Sequence, residues 1–365
     1  MFIHEARLVH LLSPAAYFTE EQYQAECQHL FKPSWHLIAS LAEIPHPGDF
    51  LTREVMGISL LVYRHPDRVG VYRNACPHRH GKLLAKNRGN IPFLSCPFHG
   101  GKFGPDGKAL ESKENQEGSA IHPPLQSFRV ECCGELVFIN LSAEGPSLAE
   151  QLGPEAEFIE RSYSNPFRLV WSKCWDIEAN WKIPLENGLE SYHIPCLHAR
   201  TFRNYPEEPR VLHRMDSTGT SYQTEEMDRW VKKGIRRASR WLGLPSTENY
   251  THCHVFPHLT FVAMDTFRMA QIFYPTSATT SQSMVWIYAP YGPNRGVIPW
   301  LYSRINAWLV TEIARKVLLE DAPIFPDVQR GIEQSSFPGV IGRREERIWA
   351  FQDHVVRLCN QPSSS

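Results

Sequence analysis

The chain has 365 residues, of which 42% are apolar, 21% charged and 12% aromatic. That balance belongs to folded globular proteins and excludes disordered, collagen-like and coiled-coil architectures; at roughly 100–200 residues per domain it predicts two or three domains. The 38 Lys and Arg residues against 39 Asp and Glu leave a net charge of −1, so no basic excess calls for nucleic acid.

Along the chain, Thr19 is placed to cap a helix near 20–31, with Gln22 three residues on, Phe18 and Tyr23 as a hydrophobic staple, and Pro33 as its stop. From about 35 to 142 the texture is short strands. The runs Leu60–Tyr63 and Val69–Tyr72 flank a His65-Pro66-Asp67 turn, and Phe128–Val130 and Leu136–Leu141 flank Cys133-Gly134-Glu135. This pattern predicts a small antiparallel β domain. Beyond 143 the segments lengthen. Pro184–Ile194, Leu301–Glu320 and Glu345–Leu358 read as helices; Val255–Ala263, Met269–Phe273 and Ser283–Ala289 read as strands. An α+β domain is expected there, an antiparallel sheet flanked by helices. The boundaries are a helical segment over 1–34 packing on the last domain, a β domain over 35–145 and the α+β domain over 146–365.

No membrane span is expected. The most apolar stretch, Gly296 to Ala314, is interrupted by Arg304, Asn306 and Glu312. The N-terminal stretch, with Glu5, Arg7 and Pro14, lacks a signal-peptide layout. Nine cysteines, an odd number over a long chain, argue against a disulfide framework. A cytoplasmic protein with reduced thiols is the expectation.

Two constellations carry chemistry. The first is Cys76-Pro77-His78 followed by Cys96-Pro97-Phe98-His99. Each short loop offers one thiolate and one imidazole, stiffened by proline. Two of each suit a tetrahedral zinc site or a [2Fe–2S] cluster with two Cys on one iron and two His on the other. Zinc layouts usually keep like ligands together. A bridged cluster wants a ligand pair from each of two facing loops, which mixed pairs provide.

The second is Glu186-Asn187-Gly188-Leu189-Glu190-Ser191-Tyr192-His193-Ile194-Pro195-Cys196-Leu197-His198. On a helix Glu190 and His193 share a face, with Glu186 and Asn187 a turn behind. Pro195 disfavours continued helix at Ile194, so the chain can bend and return His198 toward His193. Two histidines plus a carboxylate from elsewhere make a facial triad, which leaves open positions on a non-haem Fe(II).

Through Cys76-Pro77-His78-Arg79 and Cys96-Pro97-Phe98-His99-Gly100 the sequence resembles the Rieske iron–sulfur domain. His80 stands where glycine or alanine often occurs, and Gly101 where tryptophan usually does. Together with Asn180–His198 and the stretch Glu320-Asp321-Ala322-Pro323 to Gln329-Arg330-Gly331, the chain resembles the catalytic α subunit of Rieske non-haem iron oxygenases. The resemblance implies Cys76, His78, Cys96 and His99 as cluster ligands. It implies His193, His198 and Asp321 as Fe(II) ligands, with Glu320 and Asp327 as solvated alternatives to Asp321. It implies that Glu190 bridges His193 to His99 of a neighbouring subunit, and a glutamate there is similar to the branch oxidising betaine, choline and carnitine. Asn187 and Glu186 would line the pocket.

The implied function is the terminal oxygenase component: a mono- or dioxygenase that uses O₂ to hydroxylate or oxidatively dealkylate a small organic substrate. No dinucleotide fingerprint is present, so electrons from NAD(P)H are expected through a separate reductase or ferredoxin. A head-to-tail homotrimer is implied as well. The aromatic-rich 200–300 region, including Phe202, Tyr205, Trp230, Trp241, Phe261 and Phe273, could cage a quaternary ammonium, although strand aromatics are mostly core. The alternatives are a Rieske electron carrier without chemistry of its own and a zinc-binding interaction module. The basic run Lys232–Arg237 is expected as a solvated helix face or a docking patch for an acidic electron donor.

Overall fold

The structure, a computed structural model, describes residues 8–104, 106–110, 123–191, 193–202, 211–225, 229–292, 296–342 and 344–359. It divides into two compact units, Pro33–Gly145 and the combination of Met1–Lys32 with Pro146–Ser365.

The larger unit begins with α1 (Glu20–Glu26), where the Thr19 hydroxyl accepts the Gln22 N–H. The helix expected to 31 changes character at Cys27. A π-helical turn over Cys27–Phe31 follows, closed by the Lys32 N–H donating to the Cys27 carbonyl. The wider turn brings Leu30 and Phe31 together into the core.

The smaller unit is all antiparallel. Its strands are β1 (Trp35–Ser40), β2 (Asp49–Val55), β3 (Ile58–Arg64), β4 (Val69–Arg73), β5 (Arg88–Asn90), β6 (Leu94–Ser95), β7 (Lys102–Phe103), β8 (Arg129–Cys133) and β9 (Leu136–Asn140). They form a β4-β3-β2-β5 sheet, a β1-β9-β8 sheet and a β6-β7 hairpin. β3 and β4 are apolar on both faces because both are covered. Phe50, Leu61, Tyr72, Leu83 and Phe103 form one core together with the side chains of Cys76 and Cys96.

The chain re-enters the larger unit through α2 (Leu148–Leu152) and α3 (Ala156–Ser162), then β10 (Phe167–Ile177), α4 (Lys182–Leu189) and α5 (Ile194–Leu197). Next come β11 (Val211–Met215), β12 (Gly219–Thr224), α6 (Arg229–Leu242), β13 (Tyr250–Val255), β14 (Leu259–Met264), β15 (Phe267–Pro275) and β16 (Ser281–Pro290). Three helices close the chain, α7 (Val297–Asp321), α8 (Ile324–Glu333) and α9 (Glu346–Cys359). The seven strands make one antiparallel sheet, ordered β10-β16-β15-β14-β13-β12-β11. The single strand expected over Val255–Ala263 is two, because Pro257 has no N–H to give a ladder; the turn is held by His254 Nε2 on the Pro257 carbonyl at 2.9 Å.

Strand alternation sorts the core. Val285 and Ile287 pack with Ala314 and Leu318 of α7 on one face. Phe261, Ala270 and Trp286 lie in register across β14, β15 and β16, a large–small–large row of fully buried residues. β12 approaches β13 so closely that a Cβ on Gly219 would lie 2.1 Å from the His254 carbonyl oxygen. Beneath the helices, Lys182 Nζ meets Glu26 Oε1 at 2.6 Å with both side chains 0% exposed. Glu26 Oε2 accepts the Trp181 indole N–H at 2.7 Å, so α1 is pegged to the start of α4.

Candidate active site

In the β unit the two Cys-His loops are built alike. The His80 N–H donates to the Cys76 carbonyl at 2.8 Å, and the Cys76 N–H to Gly81 at 2.8 Å. In the second loop the Gly100 N–H donates to Cys96 at 3.0 Å, and the Cys96 N–H to Gly101 at 2.8 Å. The equivalent fourth positions, His80 and Gly100, are both left-handed, at φ 59° and 70°. Glycine takes that conformation freely and histidine at a cost of about 1 kcal/mol.

Cys76 and Cys96 are 3% and 2% exposed and pack in the same core cluster. His78 and His99 are exposed, with ring centroids 4.9 Å apart. Two thiols facing inward and two imidazoles at the rim, from two matching loops, fit a [2Fe–2S] cluster with mixed ligation. His80 is exposed, and the Arg79 guanidinium lies 5.5 Å from the Phe98 ring centroid.

In the larger unit His193, His198 and Asp321 each offer a ligand atom, all within 4.8 Å of one another. The local route differs from the expected helix. α4 stops at Leu189 and Glu190 is extended, φ −119° and ψ 173°. Its carboxylate accepts the His193 backbone N–H at 3.2 Å and also bonds His193 Nδ1. This side-chain partner competes with the helix ladder and opens α5 instead. Pro195 sits in the first turn of α5 rather than ending a helix. Glu190 and His193 therefore meet across a turn, not along a helix face.

His198 caps α5 and has a carboxylate oxygen beside each ring nitrogen. Nδ1 bonds Glu320 Oε2 at 2.9 Å, and Nε2 lies 3.2 Å from Asp321 Oδ1. Two ligands about 2.1 Å from one ion at near right angles lie about 3 Å apart, so this spacing fits a shared metal. Asp321 Oδ1 is buried without a hydrogen-bond partner, a cost that a bound cation removes. Burial pulls His198 down, but Asp321 and Glu320 hold it above its ordinary value.

Glu320 is not the solvated carboxylate expected from the sequence. The last turn of α7 aims it at His198 Nδ1, and Thr201 Oγ1 donates to its other oxygen at 3.0 Å. Burial pushes its carboxyl up, but these two hydrogen bonds bring it below its ordinary value. Asp327 is exposed and pairs with Arg330. With Glu190 behind His193 and Glu320 behind His198, each imidazole keeps Nε2 for the site, the arrangement that orients metal-binding histidines.

The triad opens into a cavity of about 290 Å³. Asn187 lines it, but Glu186 does not; its carboxylate turns into the interior, accepting Tyr17 Oη–H at 2.8 Å and Gln352 Nε2–H at 2.9 Å. Of the aromatics named from the sequence, Phe202 and Phe273 line the cavity, Phe261 is core, Trp230 and Trp241 are exposed, and Tyr205 lies outside the described residues. Trp175, Tyr222, Tyr250 and Phe325 complete the wall. The facing of Trp175, Tyr222 and Tyr250 depends on sheet register, and that of Phe325 on how α8 packs, neither of which the sequence alone reveals.

Residues 161–361, more than half of the chain, match the family described as ring hydroxylating alpha subunit (catalytic domain), and residues 34–129 match the Rieske [2Fe-2S] domain. The carnitine monooxygenase oxygenase subunit of Acinetobacter pittii is 29% identical over 196 residues, 51% of this chain and 52% of that protein. The anthranilate 1,2-dioxygenase large subunit of Burkholderia cepacia is 29% identical over 236 residues, 56% of each. The chain thus spans about half the length of the curated relatives it matches. The solved structure of the quaternary ammonium Rieske monooxygenase CntA with L-carnitine superposes with a TM-score of 0.77, covering 96% of both chains at 21% identity, a likeness of fold. No helix among the described residues is long and apolar enough to cross a membrane. An α+β chain with a Rieske domain ahead of a catalytic sheet-and-helix domain, it belongs to the family of ring-hydroxylating alpha subunits.

Proposed function

We propose that this chain is the terminal oxygenase component of a Rieske oxygenase system, hydroxylating or oxidatively dealkylating a small organic substrate with O₂. The observation that carries the reading is the convergence of His193, His198 and Asp321 on a cavity walled by aromatic and aliphatic side chains. An Fe(II) held by these three would retain open positions for O₂. The chain's own part is to orient the two imidazoles through Glu190 and Glu320, to exclude water with the apolar wall, and to hold substrate beside Asn187. Cys76, His78, Cys96 and His99 would hold the cluster that relays electrons, supplied from NAD(P)H by a separate reductase or ferredoxin.

On this reading Glu190 touches His193 within its own chain and His99 of a neighbouring subunit in a head-to-tail homotrimer. None of the nine cysteines is joined in a disulfide, which supports a cytoplasmic setting on this reading. The carrier alternative leaves the cavity and its triad without a purpose.

The test uses a surrogate reductase, NADH and isotopically labelled O₂, with a substrate panel that includes carnitine and anthranilate, the compounds named for its relatives. The wild-type chain should place label in a product, and His198→Ala should place none while its cluster is still reduced. Cluster reduction with no label in any product would point to an electron carrier.

A further inference from the structure

Two arginines line the cavity, Arg344 and Arg347, and the triad uses neither; Arg347 is the buried one. Arg347, one residue into α9, lines it and is 3% exposed. Its Nε donates to Thr220 Oγ1 at 3.0 Å and Nη1 to the Leu189 carbonyl at 3.5 Å, while Nη2 is buried with no hydrogen-bond partner. Its guanidinium carbon lies 5.8 Å from the Tyr222 ring centroid, against the cavity wall. Among the described residues no carboxylate comes within 4.0 Å of it.

A cation in this position is costly unless an anion meets it. Glu155, the acid whose field reaches Arg347, is already paired with Arg214. The acids lining the cavity, Glu190 and Asp321, are engaged at the triad. Burial lowers Arg347 to about 10, which leaves it cationic at neutral pH. Beside it His213, lowered to about 3 by burial and then by Arg347, is a neutral imidazole.

We propose that Arg347 is the anchor for a carboxylate on the substrate, which places the opposite end of the molecule at the His193–His198–Asp321 end of the cavity. The proposal rests on the oxygenase reading for its purpose and names the substrate class: small organic acids. Guanidinium groups bind carboxylates through paired, charge-assisted hydrogen bonds. The aromatic wall admits either an arene or a trimethylammonium group as the rest of the molecule, so the carboxylate is the shared chemistry.

The experiment is calorimetric binding to the oxidised holoenzyme without reductase, so no turnover is needed. Two acid–amide pairs serve as probes: benzoate with benzamide, and glycine betaine with its amide. At least one acid should bind about tenfold or more tightly than its amide, and which pair responds identifies the arene or the ammonium arm. Arg347→Gln should erase that preference while leaving amide affinity within about twofold, and Arg347→Lys should keep part of it. Absence of an acid preference in both wild-type pairs overturns the proposal, even if Arg347→Gln fails to fold. So does a preference that survives in Arg347→Gln. Failure of the oxygenase reading would show instead as missing iron or missing label, with the acid preference intact.

Discussion

Glu320→Gln removes the charged acceptor behind His198 Nδ1 while keeping its size. Partners of metal-binding histidines typically contribute 10–100-fold to metal affinity, so chelator competition should find Fe(II) held about 10–100-fold more weakly, with the cluster spectrum unchanged. Unaltered affinity would mean that the 2.9 Å contact does no more than pack the end of α7. Glu186 carries a pH prediction. Burial raises its carboxyl from 4.5 to about 7 despite hydrogen bonds from Gln352 and Tyr17. An acid with a raised folded pKa binds more protons folded than unfolded, so its contribution is full below about 4.5 and declines until about 7. Glu186→Gln can still accept both hydrogen bonds and does not ionise. Denaturant titrations should find it close to wild type near pH 4.5 and more stable by about 3 kcal/mol near pH 8. A gain that is the same at both pH values would contradict the assignment.

At the scale of elements, the buried Lys182–Glu26 pair that joins α1 to α4 sets a clear expectation. Removing one partner leaves an uncompensated interior charge, so Glu26→Leu or Lys182→Met should each cost about 3–5 kcal/mol. The double variant should cost much less than the sum of the two, measured by chemical denaturation. Which parts of the structure can be read from the sequence follows the same local-versus-tertiary divide. The two Cys-His loops are legible because each pair of ligands sits within three residues and the loops fold on their own backbone hydrogen bonds. Most helix and strand locations are legible from periodicity, including α7 and β16. The end of α4 is not, because the Glu190 carboxylate captures the His193 N–H, a choice that helix spacing does not encode. β10 escapes pattern reading where its register with β16 shifts between Leu169 and Trp171. Asp321 could be named only by resemblance, and the role of Glu320 depends on how the last turn of α7 meets a histidine 122 residues away. Arg347 reads as an ordinary helix-surface residue until the sheet covers it.

For the whole molecule, the trimer reading makes a complementation prediction. A Cys96→Ser chain without a cluster and a His193→Ala chain without the mononuclear iron should each be inactive alone. Refolded or co-expressed together they should recover part of the NADH-dependent oxygenation, because on that reading electrons would cross between neighbours. Activity no greater than the two separate preparations would contradict transfer across a subunit boundary.

One chain should hold two iron sites of different kinds, a cluster in the β unit and a mononuclear site in the larger unit. The most direct test is iron and acid-labile sulfide per chain on anaerobically purified, Fe(II)-supplemented protein, wild type beside His193→Ala, with EPR after dithionite. About three irons and two sulfides are expected in the wild type and about two irons and two sulfides in the variant, with the reduced-cluster signal retained. Two irons in both proteins, or zinc without sulfide, would contradict that expectation.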